Sequence, residues 1–219
     1  IVRSMPEDFS ICGLTAHNNE KSLNFLSNEF SCDSVLTSKD GIEAIEALIQ
    51  KTNPDIVVNG IAGAAGLLPS KITIECGKKL ALANKETVVM AWPLIKELAF
   101  NKDVEIIPVD SEHSAIFSLI NQVGRKNIKN VIITASGGPF RTFTKEQLEK
   151  VTVEDALKHP TWNMGQKITI DSATLANKAL EVIEAVKLFG VPASNVEVTI
   201  HPQSLVHSLI RTKDGVLYS

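Results

Sequence analysis

The sequence predicts an α/β protein: a nucleotide-type half with a parallel sheet, followed by an α+β half. Three observations carry this. Short apolar runs alternate with stretches of helical periodicity through the first half, a spaced set of glycines follows one of those runs directly, and the texture changes near Gly137-Gly138-Pro139. The border therefore falls within 110–137, and we divide the chain at 1–110 and 111–219.

The apolar runs at 10–16, 55–59, 80–83, 104–109 and 131–134 read as strands, and the stretches 21–30, 41–51, 68–77, 86–101 and 112–123 repeat their apolar residues as helices do. Strand and helix in turn make βαβ units. Past the glycines, a helix around 145–151 leads into a polar stretch at 158–165, and strands return at 167–170, 196–200 and 205–211, the last two joined through His201-Pro202-Gln203-Ser204. There is no internal repeat and no low-complexity tract.

With 219 residues and 44% hydrophobic content the chain can bury a sizeable core. A net charge of −3 without blocks of like charge gives no reason to invoke nucleic acid or an anionic membrane. Cys12, Cys32 and Cys76 are odd in number and widely spaced, which fits a reducing compartment and hence a cytoplasmic protein. No apolar run approaches membrane-spanning length, since Trp92-Pro93 interrupts 88–95. A removed targeting segment would make a plastid-type organelle the alternative to a bacterial cytosol. Both ends read as cut, because a strand begins almost at once and a Lys213-Asp214-Gly215 turn leads towards a strand with little chain left.

The segment from Asp171 to Glu184 separates polar from apolar residues at helical spacing. Leu175, Ala179, Val182, Ile183 and Val186 form one stripe expected to be buried, with Thr174, Asn177, Lys178, Glu181 and Glu184 on the opposite side. Asp171 or Ser172 is placed to cap the helix, and free N–H groups beside hydroxyls suit an anion. A solvated face with Lys178 paired to Glu181 accounts for the same pattern without function. Upstream, the run 104–109 enters Asp110-Ser111-Glu112-His113. If the strand continues, Asp110 and Glu112 point the same way and need a cation or a proton between them. An all-oxygen set with Glu181 as third ligand suits Mg²⁺ or Mn²⁺. Acids at a helix N-terminus are the competing explanation.

Gly60, Gly63 and Gly66 follow the strand at 55–59, where a backbone approaching a pyrophosphate needs small residues, but the spacing is not G-x-G-x-x-G and, taken alone, a tight packing turn is the better explanation. Ser136-Gly137-Gly138-Pro139-Phe140 is a second candidate anion loop.

Together, Leu82-Ala83-Asn84-Lys85-Glu86, Asp110-Ser111-Glu112-His113, Ala135-Ser136-Gly137-Gly138-Pro139-Phe140, His159-Pro160-Thr161-Trp162-Asn163-Met164-Gly165, Asp171-Ser172 with Asn177-Lys178 and Glu181, and His201-Pro202-Gln203-Ser204 resemble the 1-deoxy-D-xylulose 5-phosphate reductoisomerase family. The resemblance runs from about Ser10 to the end, with the motifs in the family's order. It implies a Rossmann-like NADPH-binding half, partial in 1–110, and a catalytic metal- and substrate-binding half, truncated in 111–219. It also implies a metal-dependent rearrangement followed by NADPH reduction to 2-C-methyl-D-erythritol 4-phosphate, and a homodimer at full length.

By the same resemblance Asp110, Glu112 and Glu181 hold the divalent metal, and Lys85 and Ser111 meet the substrate's reacting end beside Glu112. Ser136, Ser172, Asn177 and Lys178 grip the phosphate, while His159 and Trp162 belong to a loop that covers the substrate. Ala16, His17, Asn18, Asn19, Gly60, Ala62, Gly63, Asn84 and Glu86 fall to the cofactor. One departure stands out: where the family commonly carries a basic residue facing the adenosine 2′-phosphate, this chain has His17-Asn18-Asn19. The family's first strand and glycine-rich loop would precede Ile1 and its C-terminal helical domain would follow Ser219, so the chain alone is expected to be inactive. A metal-dependent phosphosugar lyase or aldolase, or an inactive sugar-phosphate-binding fragment, are the alternatives.

Overall fold

The structure, a computed structural model, describes residues 1–158 and 165–219. It divides into two units, Ile1–Thr87 with Ala91–Ile107, and Val88–Met90 with Pro108–Ser219. No described helix is long and apolar enough to cross a membrane.

After a 3-10 turn at Val2–Ser4, the first run of elements is β1 (Gly13–Ala16), α1 (Glu20–Phe30), β2 (Asp33–Leu36), α2 (Thr37–Asp40), α3 (Ala44–Thr52), β3 (Ile56–Asn59), α4 (Leu67–Glu75), β4 (Lys79–Leu82), α5 (Lys85–Asn101) and β5 (Ile106–Pro108). β1 and β2 are parallel, with Gly13 opposite Asp33. β3 and β4 are likewise parallel, with Ile56 opposite Lys79, and β5 lies beside β4. The helices start where side chains replace missing intrahelical acceptors: Asn19 accepts from the Ser22 N–H and Asn84 from the Thr87 N–H. α3 turns Ile45, Leu48 and Ile49 inward, and Ile45 and Ile49 pack with Ile72 of α4. Consecutive residues 10–15 and 56–61 line one cavity of about 430 Å³. Because side chains alternate along a strand, a cavity touched by every residue runs along the strand edges. β1 and β3 are thus sheet edges, and Ile56 and Val58 stay exposed.

The second run is α6 (Ser111–Val123), β6 (Ile128–Ala135), α7 (Lys145–Leu148), α8 (Val153–Ala156), α9 (Gln166–Ala173), α10 (Ala176–Phe189), β7 (Val196–Ile200), β8 (Ser208–Thr212) and β9 (Leu217–Tyr218). The sheet order is β7-β6-β8-β9, with β7 parallel to β6 and the other pairings antiparallel. Its core joins Ile116 and Leu119 of α6, Val131 and Ile133 of β6, Ala185 and Phe189 of α10, and Ile210 of β8. Two helices therefore pack on the buried centre of a mixed sheet. Inside α5, Ala91 departs from helical geometry (φ −134°) and Pro93 has no N–H to give Val89. The Lys187 ammonium of α10 donates instead to the Val89 carbonyl at 2.6 Å and the Val88 carbonyl at 3.3 Å.

The α/β architecture and the parallel pairings of the first half are those expected, but several elements differ. The strand expected at 167–170 is helix α9: alternation in Lys167-Ile168-Thr169-Ile170 mimics a strand, yet Thr169 and Ala173, one helical turn apart, are the residues buried. The strand expected at 104–109 ends at Pro108, so Asp110 and Glu112 lie at a helix start. β2 and α8, short and weakly patterned, were not expected. The largest correction concerns α10. Asn177, Lys178, Glu181 and Glu184 are buried there, whereas Leu175 and Ile183 of the expected buried stripe are exposed and Ala179 also faces outward. Nor do Asp171 and Ser172 cap it. They belong to α9, and α10 starts after Leu175, held in left-handed geometry at φ 61°.

Candidate metal and phosphate site

β5 ends at Pro108, and Asp110 becomes the N-cap residue of α6 without using its side chain to cap. Glu112 sits in the first turn of α6 and Glu181 in the second turn of α10, and the carboxylates of Asp110, Glu112 and Glu181 lie within 4.8 Å of one another. Glu181 is 1% exposed. Burial first, then the charges of Asp110 and Glu112, push its carboxyl up to about 7 against the pull of Lys178.

The Lys178 ammonium partly answers this repulsion. It donates to Glu112 Oε1 at 2.8 Å and also to Glu181 Oε2. Asn177 Nδ2 donates to the other Glu181 oxygen at 2.5 Å, and Ser111 Oγ donates to Glu112 Oε2 at 2.6 Å. The Glu112 backbone is held as well, its carbonyl accepting from Ser208 Oγ at 2.9 Å. Three converging carboxylates around the Lys178 ammonium leave an excess of negative charge on the wall of a half-open pocket. Their oxygens are the hard donors that Mg²⁺ and Mn²⁺ take, so the residues fit such an ion.

The same carboxylates line a cavity of about 370 Å³ together with Ser136, Ser172, Asn177 and Lys178. Local backbone geometry brings the two serines near each other. Gly137 and Gly138 take φ of 86° and 68°, which side chains resist, and a Cβ on Gly138 would stand 2.8 Å from the Ser172 carbonyl. The loop after β6 can thus lie directly on the end of α9. Ser136 Oγ accepts from the Gly138 N–H at 3.3 Å, which ties the serine to the turn of its own loop.

Behind the cluster stands His113, fully buried. Its Nε2 lies 2.9 Å from the Glu181 carbonyl, to which it donates, and its Nδ1 is 3.4 Å from Asp110 Oδ1. Burial lowers the pKa of the imidazole, but Asp110 as an acceptor for the ring and the charges of Glu184 and Asp110 outweigh it and leave His113 above the ordinary histidine value. His201 serves the turn after β7, accepting the Leu205 N–H at its Nε2.

In the first unit the expected cofactor residues sit at the carboxyl ends of strands, where α/β sheets bind ligands. Ala16 ends β1, and His17 follows with its Nδ1 3.0 Å from Thr37 Oγ1. Asn18 is exposed and Asn19 is occupied as the α1 cap. Gly60, Ala62 and Gly63 follow β3, with Gly63 at φ 74°. Asn84 is a structural hub. Its Nδ2 donates to the carbonyls of Ile61 and Gly63 at 2.6 and 2.9 Å and to Glu86 Oε2 at 3.0 Å, and its Oδ1 accepts from the Thr87 amide and hydroxyl. Sequence reasoning passed over Asn59, which donates to the Gly66 carbonyl and Ser70 Oγ and fixes the same loop. A polar residue at the end of an apolar strand was the available signal. Lys85 opens α5, half-buried. His159 and Trp162 lie outside the described residues.

Two family models match the chain: 1-deoxy-D-xylulose 5-phosphate reductoisomerase over residues 1–92 and the C-terminal domain of the same enzyme over residues 106–189. The chain is 50% identical to the 1-deoxy-D-xylulose 5-phosphate reductoisomerase of Treponema denticola, over 100% of its own length and 60% of the relative's, and 48% identical to that of Treponema pallidum with the same coverage. Among solved structures, a DOX-P reductoisomerase in complex with NADPH, fosmidomycin and magnesium superposes with a TM-score of 0.88 at 35% identity, covering 99% of this chain and 60% of that one. The reductoisomerase of Zymomonas mobilis in complex with NADPH gives 0.84 at 33% identity, with 99% and 61% covered.

Proposed function

Since the chain belongs to the 1-deoxy-D-xylulose 5-phosphate reductoisomerase family, we propose that its protein converts 1-deoxy-D-xylulose 5-phosphate to 2-C-methyl-D-erythritol 4-phosphate with NADPH and Mg²⁺ or Mn²⁺, in isoprenoid biosynthesis. The observation that carries the proposal is the convergence of Asp110, Glu112 and Glu181 on the wall of the cavity that Ser136, Ser172, Asn177 and Lys178 also line.

In this reading Asp110, Glu112 and Glu181 hold the divalent cation, which when bound polarises the carbonyl and hydroxyl oxygens of the substrate. Ser111, bonded to Glu112, holds a hydroxyl at the reacting end. The phosphate is bound by the hydroxyls of Ser136 and Ser172, the Asn177 amide and the Lys178 ammonium, which turns from the carboxylates when a cation takes its place between them. Fixing the non-reacting phosphate orients the sugar, so binding energy far from the chemistry lowers the barrier. Lys85 keeps a positive charge for the developing alkoxide, and His159 and Trp162 cover the substrate against water. The loops after β1 and β3, with Asn84 and Glu86, receive NADPH. A cytoplasmic homodimer completes the proposal, supported by the bacterial relatives and the family resemblance.

The test is to supply 1-deoxy-D-xylulose 5-phosphate, NADPH and Mn²⁺ to the purified protein at full length, follow NADPH absorbance, and identify the product. Stoichiometric loss of absorbance with formation of the methylerythritol phosphate is expected. Cleavage of the sugar phosphate with NADPH untouched would instead establish a lyase.

A further inference from the structure

Two buried side chains next to the carboxylate cluster touch neither solvent nor the cavity. His113 is 0% exposed and Glu184 4%, and neither lines the pocket that holds Asp110, Glu112 and Glu181. A buried histidine beside two carboxylates is expensive to build unless it does something there. We propose that His113 and Glu184 are positioning residues: the imidazole ties the start of α6 to the second turn of α10 so that Asp110 and Glu181 converge on a divalent cation, and Glu184 holds the imidazole in that orientation. The inference rests on the reading of Asp110, Glu112 and Glu181 as the metal ligands.

The geometry is specific. Two of the three carboxylates lie on different helices, and nothing in local backbone structure sets the gap between those helices to a tolerance a metal needs. His113 spans it. Nε2 donates to the main-chain carbonyl of Glu181 at 2.9 Å, so the ring is pinned to the very residue whose side chain must aim at the cation. Nδ1 faces Asp110 Oδ1 at 3.4 Å, too long and too poorly aligned for a hydrogen bond, so the ring meets the second ligand through proximity and charge alone. The ring cannot swing out of this bridge, because it stacks on Phe189 of α10 with centroids 6.2 Å apart and planes at 20°. A Glu184 oxygen, an Asp110 oxygen and a His113 nitrogen lie within 4.8 Å of one another. Glu184 is on α10 one turn beyond the pinned carbonyl, so it offers the ring a charge fixed to the same helix. Partners of this kind orient the atoms that touch the metal, and losing one costs about 10- to 100-fold in metal affinity in other sites.

The experiment is a Mn²⁺ titration of the purified protein, read by the electron paramagnetic resonance of free Mn²⁺, beside its thermal unfolding without metal. His113→Phe keeps the stacking on Phe189 and removes both polar contacts. It is expected to weaken Mn²⁺ about 10- to 100-fold, with saturating Mn²⁺ restoring an unchanged KM for the sugar phosphate. His113→Gln, whose amide can still reach the Glu181 carbonyl, should lose less, and Glu184→Gln should lose several-fold while leaving side-chain volume intact. If the phenylalanine variant does not fold, the two glutamine variants decide alone. Variants that unfold earlier yet bind Mn²⁺ within about twofold of the parent would leave only a structural role and overturn the proposal. A parent that does not bind Mn²⁺ at all would overturn the metal site itself, which is a different failure.

Discussion

Helices α3 and α10 are built from similar proportions of apolar and polar residues, yet they face opposite ways. α3 buries Ile45, Leu48 and Ile49 and leaves its polar residues in solvent. α10 buries Asn177, Lys178, Glu181 and Glu184 and leaves Ile183 and Ala179 outside. The hydrophobic effect alone favours the first arrangement and opposes the second. What offsets the cost in α10 is partly the core contact of Ala185 and Phe189 at its far end and partly the charge pairing at its near end. The difference separates a helix that stabilises the fold from one that presents a site.

Reciprocal substitutions would break this division most sharply. Asp110→Asn or Glu181→Leu should cut turnover by at least about 100-fold through loss of the cation's oxygens, since polarisation by a metal supplies several kcal/mol of transition-state stabilisation. In the metal-free protein Glu181→Leu should unfold no earlier than the parent, because it relieves carboxylate repulsion and buries an apolar side chain. Ile49→Ala should do the reverse, lowering stability by about 2–5 kcal/mol with Mn²⁺ affinity unchanged. Denaturant melts and Mn²⁺ titrations on the same samples would show whether function and stability separate in this way.

The contrast also explains what the sequence could disclose. Alternation of strand and helix was legible because the apolar residues of elements such as α3 and β4 recur at helix and strand spacing and turn inward. The carboxylates were legible as residue types, since Asp110, Glu112 and Glu181 suit an oxygen-binding cation whatever backbone carries them. Their geometry was not. A continuing strand was expected to align Asp110 with Glu112, whereas a helix start and a second helix bring them together. Hydropathy misplaced the first turns of α10 because Asn177, Lys178 and Glu181 line a cavity there, while the core is reached by Val182, Ala185 and Phe189 further along the helix. The α9 segment deceived for a related reason: apolar residues at alternate positions, Ile168 and Ile170, satisfy a strand pattern while the buried spacing is that of one helical turn.

Lys178 tests how the site balances its charges. Its ammonium bridges Glu112 and Glu181. Lys178→Met should raise KM for the sugar phosphate roughly 10-fold or more, with a smaller loss of turnover, because ground-state affinity for the phosphate is removed. Mn²⁺ should bind no more weakly, and somewhat more tightly, as the competing cation is gone. Loss of Mn²⁺ binding in this variant would place the lysine among the groups that organise the metal site.

The carboxyl of Glu181 gives the same contrast a pH axis. Its folded value of about 7 lies above the ordinary value of 4.5, owing to burial and then to Asp110 and Glu112. The proton it holds stabilises the fold fully below pH 4.5, and that contribution disappears as pH rises through about 7. Metal-free protein should therefore lose stability across this window, while Mn²⁺ affinity rises severalfold across it as the proton leaves. Thermal unfolding from pH 5 to 8 with and without Mg²⁺ checks both signs, and Glu181→Gln should flatten the metal-free curve. A parent curve already flat would mean that Glu181 ionises normally beside its neighbours.

The smallest effect belongs to the loop after β1 in the first unit, where His17, Asn18 and Asn19 are exposed. His17 leans on Thr37 Oγ1 at 3.0 Å and Asn18 faces solvent, so neither position carries the basic side chain that the resemblance leads one to expect, and the neighbouring Lys39 ammonium is paired with Glu20 at 2.7 Å. A 2′-phosphate there meets an imidazole and an amide, which are weaker partners than a guanidinium able to bind two oxygens at once. Asn18→Arg should raise the ratio of kcat/KM for NADPH over NADH by about 5- to 30-fold, the equivalent of one charge-assisted contact at an exposed site. Because Asn18 is exposed and makes no cap, stability should not change. The substitution leaves the carboxylate cluster untouched, so Mn²⁺ affinity provides an internal control. An unchanged cofactor ratio would show that the 2′-phosphate is read by another element, and the loop after β1 would then be a turn supporting the sheet rather than a specificity determinant.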